Sequence, residues 1–467
     1  MKAPCLLVSF IFVSLLSVSQ EVGLSDTNRV LKNDTTTLYK AFKYGKVNTH
    51  FRSFFMSTIN AGNLLDYVAQ AVGGGIRFES LTYKNFQFGV GGFYFFNLGS
   101  SNLTQLDPAT NQSNRYEIGL FDVEDPSNRK DLYRLEELYL NYHFKQGKVR
   151  FGKQFVNTPF INLQDGRMRP TGAEGLWMDF TSRKFTFEGG YLYKISPRGT
   201  TSWYSIGESI GIYPMGNTEL GLKSNYASNI HSDGIAVFGV TNKTNKHFHI
   251  NAWNYLVLNV MNLVFVQNDY FLNVKDTLKQ YTFSSQLAFE NAHNQGGNID
   301  SKLSYMSKGS KAFSFGFRLQ RVTRNWTTSI NYNHIVNEHR FVFPREWGRE
   351  PFFTFQPRER NEGTANSHAF LIKTQHTFPK RQFIFASGLG FYKMPSVLDS
   401  YRNKYGLPSY FQCNIDLKYK CNTILKGLDI NLLMVAKLLN GSTFGNLKYE
   451  INKVNMFNVN LILNYHF

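Results

Sequence analysis

The chain has 467 residues, with 43 Phe and 26 Tyr raising the aromatic share to 16%, against 18% charged residues and a mean hydropathy of −0.31. Lys and Arg outnumber Asp and Glu by 51 to 33, a net charge of +18. Beyond the N-terminus no run approaches the ~20 apolar residues of a membrane helix, which excludes a helical membrane protein. The basic residues are scattered singly rather than massed in a stripe or tail, which argues against nucleic acid. A sheet that is apolar outside and polar inside produces this mixture, because its two faces alternate and average to neutral hydropathy.

In chain order, Met1-Lys2, the apolar run Leu6 to Leu16 and Ser17-Val18-Ser19 read as a secretory signal peptide over 1–19. Residues 20–46 form a short polar lead-in, and 47–467 read as a single transmembrane β-barrel domain. Alternation then recurs, divided by Gly, Asn, Asp and Pro clusters. Asn85 to Phe96 places Phe86, Phe88, Val90, Tyr94 and Phe96 on one face. Leu138, Leu140, Tyr142 and Phe144 share another, and Lys148 to Phe155 alternates basic with apolar. Lys184 to Lys194, Tyr281 to Phe289 and Phe313 to Leu319 repeat the pattern, as do Phe411 to Lys420 and Gly427 to Leu438. The last segment, Asn455 to Phe467, sets Phe457, Val459, Leu461, Leu463, Tyr465 and Phe467 against Asn458, Asn460, Asn464 and His466. Its closing aromatic is similar to the terminal signal of outer-membrane barrels, where aromatic girdles flank the apolar band.

Three stretches break the rhythm: Gly99 to Arg129, which reads as an external loop, Asn157 to Gly175, and Asn337 to Gly363. Tyr255 to Val266 is apolar but interrupted by Asn259 and Asn262. The two cysteines beyond the signal, Cys413 and Cys421, lie eight residues apart. On one strand that is ~26 Å at ~3.3 Å per residue, beyond the ~7 Å a disulfide tolerates, so they read as free thiols. Roughly twenty segments of this kind, some of them halves of one strand, suit a barrel of 18 strands, with 16 as the alternative. No plug-sized polar domain precedes the first strand, which argues against a plug-bearing transporter.

The series Phe151-Gly152-Lys153, Asn157-Thr158-Pro159, Asp165-Gly166-Arg167-Met168-Arg169-Pro170 and Gly175 resembles the early signature of the OprD-type porin family, as does Gly73 to Ser80 with the aromatic strand after it. The resemblance implies an 18-stranded outer-membrane channel narrowed by inward-folded loops. It implies passage of small solutes, often carboxylates and amino acids, along a ladder of lumenal basic residues. It makes 157–172 the constriction loop, and Asp165, Arg167 and Arg169 the residues of its eyelet.

Parity supplies a ladder of its own. If the apolar face meets lipid, Arg52, Arg77, Lys148, Arg150, Arg318, Lys373, Lys418 and Lys420 point inward, with Glu79 and Asp416 among them. A Lys or Arg on the lipid face at the midplane costs ~2–4 kcal/mol; those near the rims meet lipid headgroups instead. In 343–362, Arg345-Glu346, Arg349-Glu350 and Arg358-Glu359-Arg360 are interleaved with Trp347, Phe352, Phe353 and Phe355. So many aromatics point to a loop folded inward or across the mouth.

His247 and His249 share a strand face, but no third ligand follows at metal spacing, and no phosphate-binding, nucleophile-elbow or zinc-protease motif occurs. No cofactor and no enzyme activity are expected. The reading is a passive porin for small anionic or zwitterionic solutes in a bacterial outer membrane. Its alternatives are a barrel hydrolase with a rim site and a closed structural or adhesive barrel. Expected partners are outer-membrane lipid and lipopolysaccharide, small solutes, and the barrel-assembly machinery through Phe467. The protein is expected to be a monomer or homotrimer.

Overall fold

The structure, a computed structural model, describes residues 35–164, 166–242, 244–272, 279–421 and 425–467. The segment 1–19 expected to be a signal peptide, most of the lead-in and Asp165 lie outside the described residues. A short helix, α1 (Leu38–Lys43), is capped by the Thr37 hydroxyl, which accepts from the Lys40 amide at 3.3 Å. One residue earlier than the sequence suggests, at Lys46, the sheet begins.

Eighteen strands form the wall: β1 (Lys46–Asn60), β2 (Tyr67–Glu79), β3 (Phe86–Ser100), β4 (Leu132–Phe144), β5 (Gly147–Gln154), β6 (Gly172–Thr181), β7 (Phe185–Ser196), β8 (Ile235–Asn242), β9 (Phe248–Val257), β10 (Met261–Leu272), β11 (Lys279–Ala292), β12 (Lys311–Thr323), β13 (Trp326–Ile335), β14 (Ser367–Phe378), β15 (Phe383–Lys393), β16 (Tyr410–Cys421), β17 (Leu428–Leu439) and β18 (Met456–His466). Each pairs antiparallel with its sequence neighbour, and β1 pairs with β18, from His50 opposite His466 to Asn60 opposite Met456, which closes the barrel. Closure leaves no sheet edge, the condition for strands to span lipid.

The alternation sorts itself as lipid demands. On β4, Tyr133, Leu135, Leu138 and Leu140 are exposed on the outside, while Leu132, Arg134 and Glu136 are buried inside. The outward residues change from odd to even because the β3–β4 register shifts between Gly91 and Gly92, leaving Glu136 and Glu137 both buried. A bulge does this by placing two residues opposite one. The lumen thereby gains two adjacent carboxylates that strict alternation would separate.

The rims differ. At one, the connections are short, such as 145–146, 182–184 and 324–325. At the other they include 101–131, 155–171, 197–234, 293–310, 336–366, 394–409 and 440–455. Short turns face the periplasm and long loops the exterior in such barrels, which orients the chain. The run Tyr255 to Val266 is the end of β9 and the start of β10, with Asn259 at φ +62° making the turn between them. Cys413 and Cys421 are both free, on one strand.

The reading of 99–129 as an external loop needs correction. β3 runs to Ser100, and part of the following segment turns inward. Leu103, Tyr116, Leu120 and Phe121 pack with Phe54, Met56, Phe93 and Phe95 on the inner wall. The Glu117 carboxylate accepts from Thr58 Oγ1 at 2.5 Å and Asn114 Nδ2 at 2.7 Å. The segment is polar on average, but its few apolar side chains cluster and are buried together.

Gly152 and Gly175 face each other across β5 and β6. Gly152 sits at φ +117°, and a Cβ there would lie 2.2 Å from the Leu138 carbonyl oxygen; at Gly175 it would lie 2.1 Å from that of Tyr191. Backbone, not a movable side chain, blocks both, so the sheet accepts only glycine. Gly152→Ala is expected to lower the yield of folded barrel, read as the heat-modifiable band on a gel. An unchanged yield would show that the ladder relaxes around the added carbon.

Candidate functional site: the loop-filled lumen

The segment 336–366 crosses the lumen, and its two sides are anchored differently. On the apolar side, Phe341, Phe343, Trp347 and Phe352 gather around Phe160 of the 155–171 loop and the inward rings of Tyr255 and Phe265. Phe160 packs against Phe343 at 4.8 Å and edge-on to Phe265 at 5.6 Å between centroids. Trp347 is fully buried, and its indole N–H donates to Ser209 Oγ at 2.8 Å. Burying large aromatics contributes most of such an anchor.

On the polar side, inward amides and hydroxyls of the wall hold the loop backbone. Gln286 on β11 donates to the Pro351 carbonyl at 3.0 Å and accepts from the Phe353 amide at 3.1 Å. Tyr392 on β15 donates to the Thr354 carbonyl at 2.7 Å, and Gln412 on β16 to the Pro357 carbonyl at 2.8 Å. Arg358, at φ +82°, donates to Asn458 at 2.7 Å and to Asn460, both on β18. Its carbonyl accepts from the hydroxyl of Tyr116, so the two inward segments are joined.

Carboxylates fix the loop's shape. Glu359 meets Arg115 at 3.0 Å, Lys437 at 3.5 Å and Arg345 at 3.7 Å. Burial alone would raise its pKa; these three cations outweigh burial and hold it at about 2. Glu350 accepts from the amides of Asn361 and Glu362 at 2.9 Å, and burial pushes it up to about 7. Burial also raises Glu346, which accepts from the amides of Gly211 and Tyr213 at 3.0 Å.

The 155–171 loop is tied to the same body. Asn162 donates to the Arg349 carbonyl at 2.9 Å, and Thr171 Oγ1 to that of Glu346 at 2.9 Å. Arg169 is bound through two nitrogens to Glu136 and lies over the Phe93 ring at 4.2 Å. Glu136 also accepts from Arg134 at 2.9 Å.

Below this body, toward the short turns, lies a cavity of about 580 Å³. Among the described residues, its charged lining is Arg52, Arg167, Arg349, Arg358, Lys418 and Lys420 against Asp416 and Asp429, with Phe54, Phe355 and Asn464 among the remainder. Arg52 donates to Asn464 at 2.7 Å, and Lys418 pairs with Asp416 at 3.1 Å.

The other residues singled out from the sequence are not in this lining, although Lys373 interacts with Arg349, Asp416 and Lys418 of it. Arg77 is neutralised by Glu79 at 2.5 Å and Glu137 at 2.9 Å. Lys148 pairs with Asp179 at 3.4 Å, and Arg150 donates to Asn141 at 2.7 Å. Arg318 pairs with Asp269 at 3.1 Å and lies over Phe353. Lys373 shares its face with buried Ala369 and Leu371. Arg349 and Arg358 stand in the cavity although the ladder omits them; the Arg-Glu alternation of their loop is the one signal that points to them.

A closed antiparallel barrel with an apolar outside and a polar, loop-narrowed inside is the architecture of a membrane channel. The family model described as outer membrane porin, OprD family, matches residues 92–338, more than half of the chain. No curated protein matches the sequence. Pseudomonas aeruginosa OccK9 (OpdG) superposes with a TM-score of 0.68 at 13% identity, covering 91% of this chain and 99% of its own. Acinetobacter baumannii OccAB2 does so with a TM-score of 0.66 at 13% identity, covering 92% and 99%. Pseudomonas aeruginosa OpdK, solved with vanillate, gives 0.66 at 11%, covering 91% and 99%. The chain belongs to the OprD family of outer membrane porins, and its place is the Gram-negative outer membrane.

Proposed function

We propose that the protein passes small anionic or zwitterionic solutes, carboxylates above all, by passive diffusion. The observation that carries this is the cavity against the 336–366 loop, where, among the described residues, six basic side chains stand against two acidic ones. Such a lining concentrates anions and supplies successive weak sites, as conduction requires. The loop body sets the size limit, and Phe54 and Phe355 give an apolar solute body a surface beside the cations. Vanillate, found with OpdK, combines an aromatic ring with a carboxylate, which supports this class of solute.

Proteoliposomes carrying the refolded chain are expected to admit a small aromatic carboxylate several-fold faster than a neutral solute of the same size. Equal rates would overturn the proposed preference while leaving the channel.

A further inference from the structure

A second, smaller cavity of about 40 Å³ lies among the external loops, away from the lumen cavity. Four loops meet there: Tyr226 comes from 197–234, Ser310 from 293–310, Arg340 from 336–366 and Lys404 from 394–409. Lys404 is 2% exposed, Ser310 3% and Arg340 8%. Among the described residues, Lys404 Nζ, Arg340 Nε and Ser310 Oγ are buried without a hydrogen-bond partner. A buried polar group left unmatched costs free energy, and three around one cavity mark a missing guest.

The guest's chemistry follows from theirs. Two of the three groups only donate, and both belong to cationic side chains; the hydroxyl can donate as well. The ammonium of Lys404 is held over the rings of Tyr305 and Tyr226 at 4.6 and 4.8 Å, which leaves its hydrogens without an acceptor. The guanidinium of Arg340 is fixed by Nη1, which donates to the carbonyls of Asn217 and Ser400, both at 2.9 Å. Glu219 is the acidic residue on the cavity wall, and it is occupied by Ser307 at 2.8 Å and His339 at 3.4 Å. Water would satisfy these donors too, since hydroxyls such as Ser224 and Ser304 on the wall can accept its hydrogens, but two converging cationic donors favour a guest of negative charge. A monatomic anion only accepts, and the cavity has room for one.

We propose that the external loops bind a single halide-sized inorganic anion between Lys404, Arg340 and Ser310. The ion joins three of the four loops at one point, so it acts as a removable pin in the outer canopy, whichever solutes the lumen passes. Its binding depends on the charge of Lys404. Burial, then Arg340 and Arg345, lower that amine to about 7, against the opposing pull of Glu362 and Glu346. Glu290 on the wall also faces it, and Glu219 and His339 stand at the cavity side. Affinity therefore falls as pH rises through 7 and the ammonium loses its proton.

The test uses the refolded full-length chain. Crystals grown with sodium bromide should give an anomalous peak within hydrogen-bond reach of Lys404 Nζ and Arg340 Nε. The thermal unfolding midpoint should rise with millimolar chloride, relative to gluconate, below pH 7 and much less above pH 8. Lys404→Met, which keeps an apolar chain among the rings, should abolish the chloride-dependent rise. Ser310→Ala, a smaller change, should weaken it several-fold and serves if the first variant folds poorly. No bromide peak, or a full chloride response in Lys404→Met, would overturn the proposal. A peak seen only at molar bromide, with no response at millimolar chloride, means an adventitious ion only and overturns it too.

Discussion

Replacing Arg52, Lys418 and Lys420 together by glutamate is expected to reverse the proposed preference of the channel for anions in favour of cations. Among the described residues, the lining of the lumen cavity then goes from six basic and two acidic side chains to three and five. The three positions lie on β1 and β16, outside the buried ion pairs that shape the 336–366 loop, and Lys418 is half exposed. The barrel should therefore still fold. Field in a narrow, low-dielectric lumen is set by the local charge balance, and at an effective dielectric of ~20 each unit charge 4 Å away acts with about 4 kcal/mol. The measurement is the reversal potential of single channels in a planar bilayer under a salt gradient. A change of sign is the expected result. A potential unmoved by three charge reversals would show that ions do not pass this cavity, and the absence of current from folded wild-type barrel would sink the channel reading itself.

The second large effect is expected from Glu359→Gln. Removing the carboxylate leaves Lys437, which is fully buried, facing Arg115 without their shared counter-charge, while Arg345 keeps Glu362 at 2.5 Å. Breaking a buried pair in this way costs about 3–5 kcal/mol. The strand ladder is untouched, so the barrel should remain heat-modifiable while the loop loses its hold. Single-channel current should become larger and noisier. Wild-type protein should show a related dependence on pH, with two opposed contributions. Glu359 is held at about 2 in the folded loop, below the ordinary 4.5 of a released glutamate, so its stabilisation is complete above 4.5 and lost as pH falls toward 2. Glu350 is raised to about 7, so the loop is progressively destabilised as pH climbs from 4.5 to 7. Glu346 is raised too and adds in the same sense. The quiet, narrowed state should be most persistent near pH 4–5, and current noise that changes in one direction only across pH 3 to 7 would refute this pairing of roles.

Most of the wall was legible because lipid enforces it. Phe411 to Lys420 and the segment before Phe467 show their alternation plainly, since a polar residue facing lipid is penalised. The bulge on β4 was not legible: Leu-Glu-Glu-Leu is compatible with a simple strand, and only pairing with β3 reveals that both carboxylates turn inward. The inward turn of 101–131 was hidden by its Asn and Asp, because average polarity does not register four apolar side chains that meet in space. The basic ladder exposes the limit of parity. Parity gives the side on which Arg77 and Arg318 lie, but not that Glu137 and Asp269 wait opposite them. The loop body depends on partners such as Glu359 and Lys437, 78 positions apart, which no local pattern connects.

The seam between β1 and β18 bears on how the molecule is assembled. Every other ladder joins neighbours in sequence and can form by hairpin growth, but this one brings together residues some four hundred positions apart. Until it forms, two long strand edges remain open, each a template for unwanted pairing, and its loop-closure entropy must be met in one step. Asn458 and Asn460, which hold Arg358, lie on this last strand. Asn458 is itself held across the seam, donating to the Ser57 carbonyl at 3.2 Å and to Thr58 Oγ1 at 2.9 Å, so the seat of the segment that narrows the channel is complete only once the wall has closed.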